Sequence, residues 1–222
     1  MLTIGKIVED ELKKYPFLEE ALAEELVNLS AFARKLKPVV EKRLGRPVNE
    51  GAIIMAVKRM PLPLHLPVNH ILRKFLSNMG EMTVRSDITD FTFANSSTLT
   101  ASQGKLLETL NKHKDAVFSF SKGVNETTIV ISSSLDNIVH EMFQDENLIL
   151  KQTNLSTITL KLHMQNSRVI GLYYHIFKQL AWEGINIVEV ISTTNEFTII
   201  VGEDFVDKAF SILKRLKAPG ME

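Results

Sequence analysis

The segment MQNSRVIG, residues 164–171, brings together groups that could hold a small anion. It follows an alternating apolar segment that predicts a strand, and it precedes a segment with the apolar spacing of a helix. The first backbone N–H groups of a helix have no partner within that helix, so this position favours a carboxylate. The segment is therefore a candidate binding loop for an acidic small molecule.

The side chains of this loop add polar groups to that backbone. Asn166 and Ser167 offer donors and acceptors, Arg168 adds positive charge, and Gly171 would let another backbone approach closely. The loop gives the following candidate ligand-binding residues: Gln165, Asn166, Ser167, Arg168, Val169, Ile170 and Gly171. A plain helix cap is the alternative, because Asn and Ser are common before helices that bind nothing.

The elements around this loop occur twice in the sequence. NETTIVI begins at Asn125, and NEFTIIV begins at Asn195, seventy positions later. Both heptapeptides predict a strand rich in β-branched residues, and each precedes an amphipathic helix. The C-terminal part of the chain is therefore predicted to contain two copies of one unit.

The similarity extends upstream of the heptapeptides. Two leucines of the first copy, Leu107 and Leu110, match Phe177 and Leu180 at the same offset. An earlier alternating segment, 89–93, matches 158–162 at an offset of sixty-nine, which predicts one extra residue in the second copy's loop. Each copy then has the order strand, helix, strand, strand, helix.

A fourth strand would complete a ferredoxin-like unit in each copy. NLILKQ, from Asn147, supplies that strand for the first copy. The second copy lacks one unless NLILKQ is shared or swapped. The predicted fold class is α+β, with an N-terminal all-α domain followed by two βαββαβ units.

The second copy, residues 156–216, resembles an ACT domain, and most closely the tandem ACT region at the C-terminus of aspartate kinases. Three features support the resemblance: Gly171 at the start of the first helix, GINI at 184–187, and ISTTNEFTIIV at 191–201. The resemblance extends from about residue 86 to 217. Ile170 departs from it, because the family usually has proline there, and no kinase catalytic domain is recognisable.

The resemblance implies two ACT domains side by side in an eight-stranded antiparallel sheet. It also implies that an amino acid binds between the loop and the second strand of a neighbouring unit, which adds Asn186 and Ile187 to the candidate site. The predicted domains are a helical domain at 1–60, a proline-rich linker and short helix at 61–85, and ACT domains at 86–153 and 154–217.

The first sixty residues have helical patterning throughout. Ser30 is a candidate N-cap, Pro38 is expected to open a further helix, and Asn49 precedes the helix NEGAIIMAVKRM. The arrangement resembles a helix-turn-helix domain. Its candidate nucleic-acid contacts are Arg34, Lys35, Lys58 and Arg59. A solvated bundle of mixed charge is the alternative, because nearby acids almost balance these bases.

Composition excludes several classes of function. Lysine plus arginine and aspartate plus glutamate number 26 each, so no net charge favours nucleic acid or an anionic membrane. There is no cysteine, no signal peptide pattern, and no apolar run of about 20 residues that could span a bilayer. A cytoplasmic protein without a membrane segment is expected.

No phosphate-binding glycine loop, zinc-binding HExxH or nucleophile elbow occurs, so no catalytic residue, metal or cofactor is predicted. The predicted function is a non-catalytic regulator, a homodimer or higher oligomer, that senses a small effector such as an amino acid. Two alternatives remain open: a ligand-responsive transcription regulator that binds DNA, and a structural module for oligomerisation or partner binding.

Overall fold

The structure is a computed structural model that describes residues 2–15, 18, 21–22, 25–60, 72, 74–162 and 169–217. The chain divides into two compact units, Met1–His70 and Ile71–Glu222. The first is called the N-terminal unit here and the second the sheet unit. In the N-terminal unit the structure gives three complete helices: α1 (Ile4–Leu12), α2 (Leu29–Leu44) and α3 (Glu50–Arg59).

Side-chain caps fix the starts of these helices. Asn28 caps α2 by accepting from the Ala31 N–H at 3.0 Å, and Asn49 caps α3 by accepting from the Gly51 N–H at 2.8 Å. The predicted N-cap at Ser30 is wrong, since this residue lies inside α2. The predicted helix start at Pro38 is also wrong, because α2 continues through it while Phe32, Ala33, Leu36 and Val40 stay buried on one face.

The sheet unit repeats one order of elements. Its first part contains β1 (Met82–Ala94), α4 (Leu99–Leu110), β2 (Phe118–Lys122), β3 (Glu126–Ser132) and α5 (Asp136–Met142). Its second part contains β4 (Leu148–Lys161), α6 (Leu172–Trp182), β5 (Glu189–Ser192), β6 (Glu196–Gly202) and α7 (Val206–Lys217). A short 3-10 turn precedes both α5 and α7. Residues 88–154 are called the first half below, and residues 155–217 the second half.

The strands form one antiparallel sheet in the order β2-β3-β1-β4-β6-β5. The prediction of eight strands is wrong for the residues that the structure describes, which form six. The reason is that β1 and β4 are long, with 13 and 14 residues, and each pairs in both halves. Residues 88–94 of β1 pair with β3, whereas residues 82–85 pair with the end of β4 that also pairs with β6.

The second half therefore obtains its fourth strand from residues 82–85, which lie in the predicted linker. The predicted domain boundaries at 85/86 and 153/154 both fall inside these long strands. Asp87 and Asn154 mark the points where each strand passes from one half to the other, and both have φ of 55°. Pairing shifts register between Arg85 and Ile88, so the ribbon is bulged and bent there.

Strand pairing corrects the predicted alignment of the two halves. Phe91 lies opposite Ile129, and Ile158 lies opposite Ile199, so equivalent first-strand positions are 67 residues apart, not 69. The later strands keep the offset of seventy, as Phe120 and Val190 show by pairing with Ile129 and Ile199. The second half thus has three extra residues before β5, where one was predicted.

The helices cover one face of the sheet. In the first half α4 and α5 bury Phe91, Phe93, Ile129 and Ile131. In the second half α6 and α7 bury the following strand residues: Ile158, Leu160, Phe197, Ile199 and Val201. Burial of this alternating set explains why both segments form strands with helices on the same side.

The face away from the helices is buried at its centre. Ile88 and Val130 from the first half join Leu155 and Ile200 from the second half in one cluster. These side chains are at most 4% exposed, so the two halves contact each other through this face. The Ser156 hydroxyl donates to Ser86 at 3.2 Å and links the two long strands where they cross between halves.

Candidate functional site

The predicted binding loop is only partly within the described residues. Gln165, Asn166, Ser167 and Arg168 lie outside them. Val169 is half-buried and packs against the helix-side core of the second half. Ile170 is 75% exposed, immediately before the start of α6.

Gly171 precedes α6 with φ of 83°, a left-handed conformation that favours glycine. Close approach of another backbone was the predicted reason for a glycine here. The structure gives a different one, since a Cβ at this position would meet nothing within 4 Å. The conformation itself requires glycine. Among the described residues no side chain caps α6, so none of them satisfies the first N–H groups of this helix.

Asn186 and Ile187 lie beyond the other end of α6. They follow the turn at Gly184, with Asn186 exposed and Ile187 half-buried against the second-half core. The 11 residues of α6 separate them from Gly171, a distance of about 16 Å along the helix. One chain therefore does not bring these two parts of the predicted site together.

Ser192, at the end of β5, contacts the first turn of α6, which the sequence did not indicate. The Tyr173 hydroxyl and the Ser192 hydroxyl lie 3.0 Å apart, and the Tyr173 ring packs 4.9 Å from the Phe197 ring. This contact joins the first turn of α6 to the end of β5. No sequence signal identified Tyr173, because an aromatic residue early in a helix is usually a core residue.

The corresponding position of the first half is filled by the protein itself. Before α4, Ser96 accepts from the backbone N–H of Leu99 at 2.9 Å and donates to the Glu146 carboxylate at 2.5 Å. Ser102 donates to the other oxygen of Glu146 at 3.3 Å. The two halves thus differ at the start of their first helices.

One buried carboxyl lies on the face of the sheet away from the helices, which is called the central face below. Asp90 is 5% exposed, pairs with Val130, and has one oxygen, Oδ1, without a partner among the described residues. Burial away from water, and secondarily the negative charge of Glu189, raise the pKa of Asp90 to about 6. Glu189 lies on β5 in the second half, so its negative charge acts on a carboxyl of β1 in the first half.

The four predicted nucleic-acid contacts are all exposed, but their neighbours differ. The Lys35 ammonium lies 5.0 Å from the centre of the Tyr15 ring, just after α1. Arg59 borders a cleft of about 450 Å³ between α1 and α3, together with Glu9. Arg34 and Lys58 are exposed on α2 and α3.

Acidic side chains accompany these bases. Arg43 binds Asp10 at 2.9 Å, and Lys13 binds Glu9 at 2.6 Å. The surface of α1 is therefore not uniformly positive. Among the described residues, no group of three His, Cys, Asp or Glu side chains could hold a metal ion. No helix in the same part of the chain has the length and apolar character needed to cross a membrane.

Comparisons with known proteins identify a fold without identifying a family. No protein-family model matches the sequence, and no curated protein matches it. Among solved structures, aspartate kinase from Clostridium acetobutylicum superposes with a TM-score of 0.51 at 16% identity, over 63% of this chain and 35% of that one. This chain thus spans about a third of that enzyme's length.

Two further structures match over nearly their whole length. The ligand-free regulatory subunit of aspartate kinase from Thermus thermophilus has a TM-score of 0.51 at 9% identity, over 63% of this chain and 99% of that one. A structure of aspartokinase alpha and beta subunits has a TM-score of 0.51 at 11% identity, over 62% and 97%. At such identities the likeness shows the fold alone, which is that of an aspartate kinase regulatory region.

Proposed function

We propose that the sheet unit is a pair of ACT domains and that the protein is a non-catalytic regulator that senses an amino acid. The observation that supports this most is the start of α6 at Gly171, which no side chain of the described residues caps, on a fold shared with a regulatory subunit of aspartate kinase. A carboxylate placed there would satisfy N–H groups that no described side chain reaches.

The two charged ends of an amino acid fit two parts of this proposed site. Its carboxylate would bind the α6 N–H groups and Arg168, while its ammonium would bind oxygens near Asn186 and Ile187. Because about 16 Å of α6 separates Gly171 from Asn186 within one chain, a neighbouring copy would have to supply the second part. Sensing by this site therefore includes homodimer formation.

The outer face of α6 supports such a dimer. Ile170, Tyr174 and Trp182 recur at helical spacing and are 75%, 51% and 82% exposed. Tyr and Trp are enriched in the residues that contribute most to protein interfaces. A second copy packed along α6 would cover these side chains and bring its own strand to the binding loop.

A thermal-shift screen against the twenty proteinogenic amino acids tests this function. A true effector raises the unfolding temperature with concentration, because it binds only the folded state. Arg168→Ala should reduce the affinity at least tenfold, whereas Arg215→Ala, an exposed arginine on α7, should not change it. If no amino acid stabilises the protein, or if both variants bind equally, the proposed site is wrong.

DNA binding is a second candidate, favoured by the exposure of all four predicted basic residues. The helices α2 and α3 are joined by five residues, 45–49, and the bases lie on these two helices. Phosphate contacts make affinity fall steeply with salt. A labelled duplex should bind at low salt, and Lys58→Ala should lower the slope of affinity against salt by about one charge. The absence of binding at low salt would remove this candidate.

A further inference from the structure

The carboxylate of Glu146 binds at the start of α4, fifty residues away in sequence. Both of its oxygens accept hydrogen bonds, from Ser96 at 2.5 Å and from Ser102 at 3.3 Å. Ser96 and Ser102 stand on either side of the first turn of α4. A single carboxylate therefore links Ser96, before the helix, to Ser102, at the end of its first turn.

Ser96 connects that carboxylate to the backbone of the helix. Its hydroxyl oxygen accepts hydrogen bonds from the N–H groups of Thr98, at 3.2 Å, and Leu99, at 2.9 Å. The same hydroxyl donates its hydrogen bond to the Glu146 carboxylate. The partial positive charge of the helix start thus polarises the hydroxyl toward the carboxylate. This is the electrostatic environment that the proposed function assigns to an effector's carboxylate in the second half.

Among the described residues of the second half, no carboxylate corresponds to Glu146. Seventy residues later the chain has Leu216, which lies within α7 and packs against the helix-side core. The difference arises because α5 ends at Met142 and frees the chain to turn toward α4, whereas α7 continues to Lys217. The described residues thus place a carboxylate at the start of α4 and none at the start of α6.

We infer that Glu146 is a tethered carboxylate that permanently occupies the first half's anion position. This inference deepens the proposed function and rests on it for one consequence: each chain takes a single effector, in its second half. The first half is then held in the liganded arrangement by its own side chain. Since an intramolecular carboxylate is present at high effective concentration, a free acid cannot displace it at ordinary concentrations.

A small cavity lies beside this carboxylate. It has a volume of about 130 Å³ and is lined by Glu146 together with the aromatic rings of Phe91, Phe93 and Phe143. Shortening Glu146 to alanine would join the vacated space to this cavity. The combined space would admit acetate, whose carboxylate could reach Ser96 and Ser102.

Chemical rescue of the full chain tests the tether without requiring the effector to be known. Glu146→Ala should lower the unfolding temperature by several degrees, and acetate should restore part of that loss with a saturable dose dependence. Acetamide, which has nearly the same shape without the charge, should restore nothing. Glu146→Gln should be destabilised but not rescued, because its side chain still fills the space. Glu141→Ala, an exposed glutamate on α5, is the matched control and should respond to neither compound.

If acetate stabilises Glu146→Ala and none of the other variants, the tether is supported, even when no amino acid binds the second half. An equal response of all variants to acetate, or no response of Glu146→Ala, overturns it. If Glu146→Ala does not fold, Glu146→Gln is combined with Ser96→Ala. The two effects should be non-additive, because both substitutions weaken the Ser96–Glu146 contact, although Ser96→Ala also removes the cap of α4. Additive effects would also overturn the tether.

Discussion

Replacing Asp90 with asparagine tests how the two halves of the sheet unit are held together. Asp90 lies on the central face, 5% exposed, and its pKa is raised from 3.8 to about 6 by burial and then by Glu189. Asparagine has almost the same shape and remains neutral at every pH. The substitution therefore removes the buried charge while leaving the packing around Ile88 and Val130 intact.

The direction of the effect follows from the two pKa values. Well below pH 3.8 the carboxyl is protonated in both the folded and unfolded states, so its contribution to stability is fully present. As the pH rises from 3.8 through about 6, the unfolded state releases this proton before the folded state does, so that stability is lost. Each pKa unit between the folded and unfolded states corresponds to about 1.4 kcal/mol of stability. The rise in the Asp90 pKa from 3.8 to about 6 therefore lowers the free energy of unfolding by about 3 kcal/mol in total.

Urea unfolding, followed by circular dichroism at several pH values between 4 and 7.5, measures this effect. The free energy of unfolding of Asp90→Asn minus that of the unsubstituted protein should increase by about 2.5 kcal/mol over this range, since the first part of the loss lies below pH 4. This difference cancels other titrating groups and any constant cost of the amide. Glu189→Gln should remove a smaller part of the same pH dependence, since Glu189 is the lesser cause.

Asp87 provides the matched control. It lies on the same strand, is exposed, and has a positive φ that asparagine also tolerates. Asp87→Asn should therefore change the free energy of unfolding by less than about 0.5 kcal/mol. If the curves for Asp90→Asn and the unsubstituted protein ran parallel with pH, Asp90 would not be a buried charge and the described packing of the central face would be wrong.

Three further changes have expected outcomes. Gly171→Ala should lower the free energy of unfolding by about 1 kcal/mol, because alanine is strained at φ of 83°; unchanged stability would contradict this conformation. Trp182 is the only tryptophan, so its fluorescence should shift to shorter wavelength as protein concentration rises if a second copy covers α6; a spectrum independent of concentration would exclude that interface. Asn49→Ala should cost the N-terminal unit about 1 kcal/mol by removing the cap of α3, whereas an effect near zero in hydrogen exchange of α3 would show that the cap contributes little.

Local pattern was enough to predict the elements that repeat. The two heptapeptides became β3 and β6, each followed by a short turn and a helix, because alternating β-branched residues bury one side of a strand. The alignment of the first strands was wrong by two residues. A slip of two keeps every side chain on the same face, so alternation alone cannot detect it.

The sharing of β1 and β4 between the halves could not be predicted from the sequence. Residues 82–85 follow a proline-rich segment and were predicted to belong to a linker. They pair instead with β4, where Val84 lies opposite Ile158, seventy-four residues later. Pairing over such a distance depends on the whole sheet. The helix start predicted at Pro38 was wrong for a related reason. Packing of the buried face of α2 keeps the helix continuous where local propensity predicted a break.

The position of one candidate-site residue was predicted from the sequence. Gly171 stands at the start of α6 as expected, although its positive φ and not close approach explains it. Glu146 had no sequence signal, because a lone glutamate after a helix is usually solvated. Its contact with Ser96 depends on where α5 ends relative to α4, which only the folded chain determines.

The two long strands make the halves of the sheet inseparable. A cut between residues 153 and 154 would divide β4 and leave each fragment with an incomplete sheet, so neither half is a portable piece that could be expressed or exchanged alone. The covalent backbone of β4 continues from the strands beneath α6 into those beneath α4. The halves are thus joined by peptide bonds as well as by the apolar cluster of Ile88, Val130, Leu155 and Ile200.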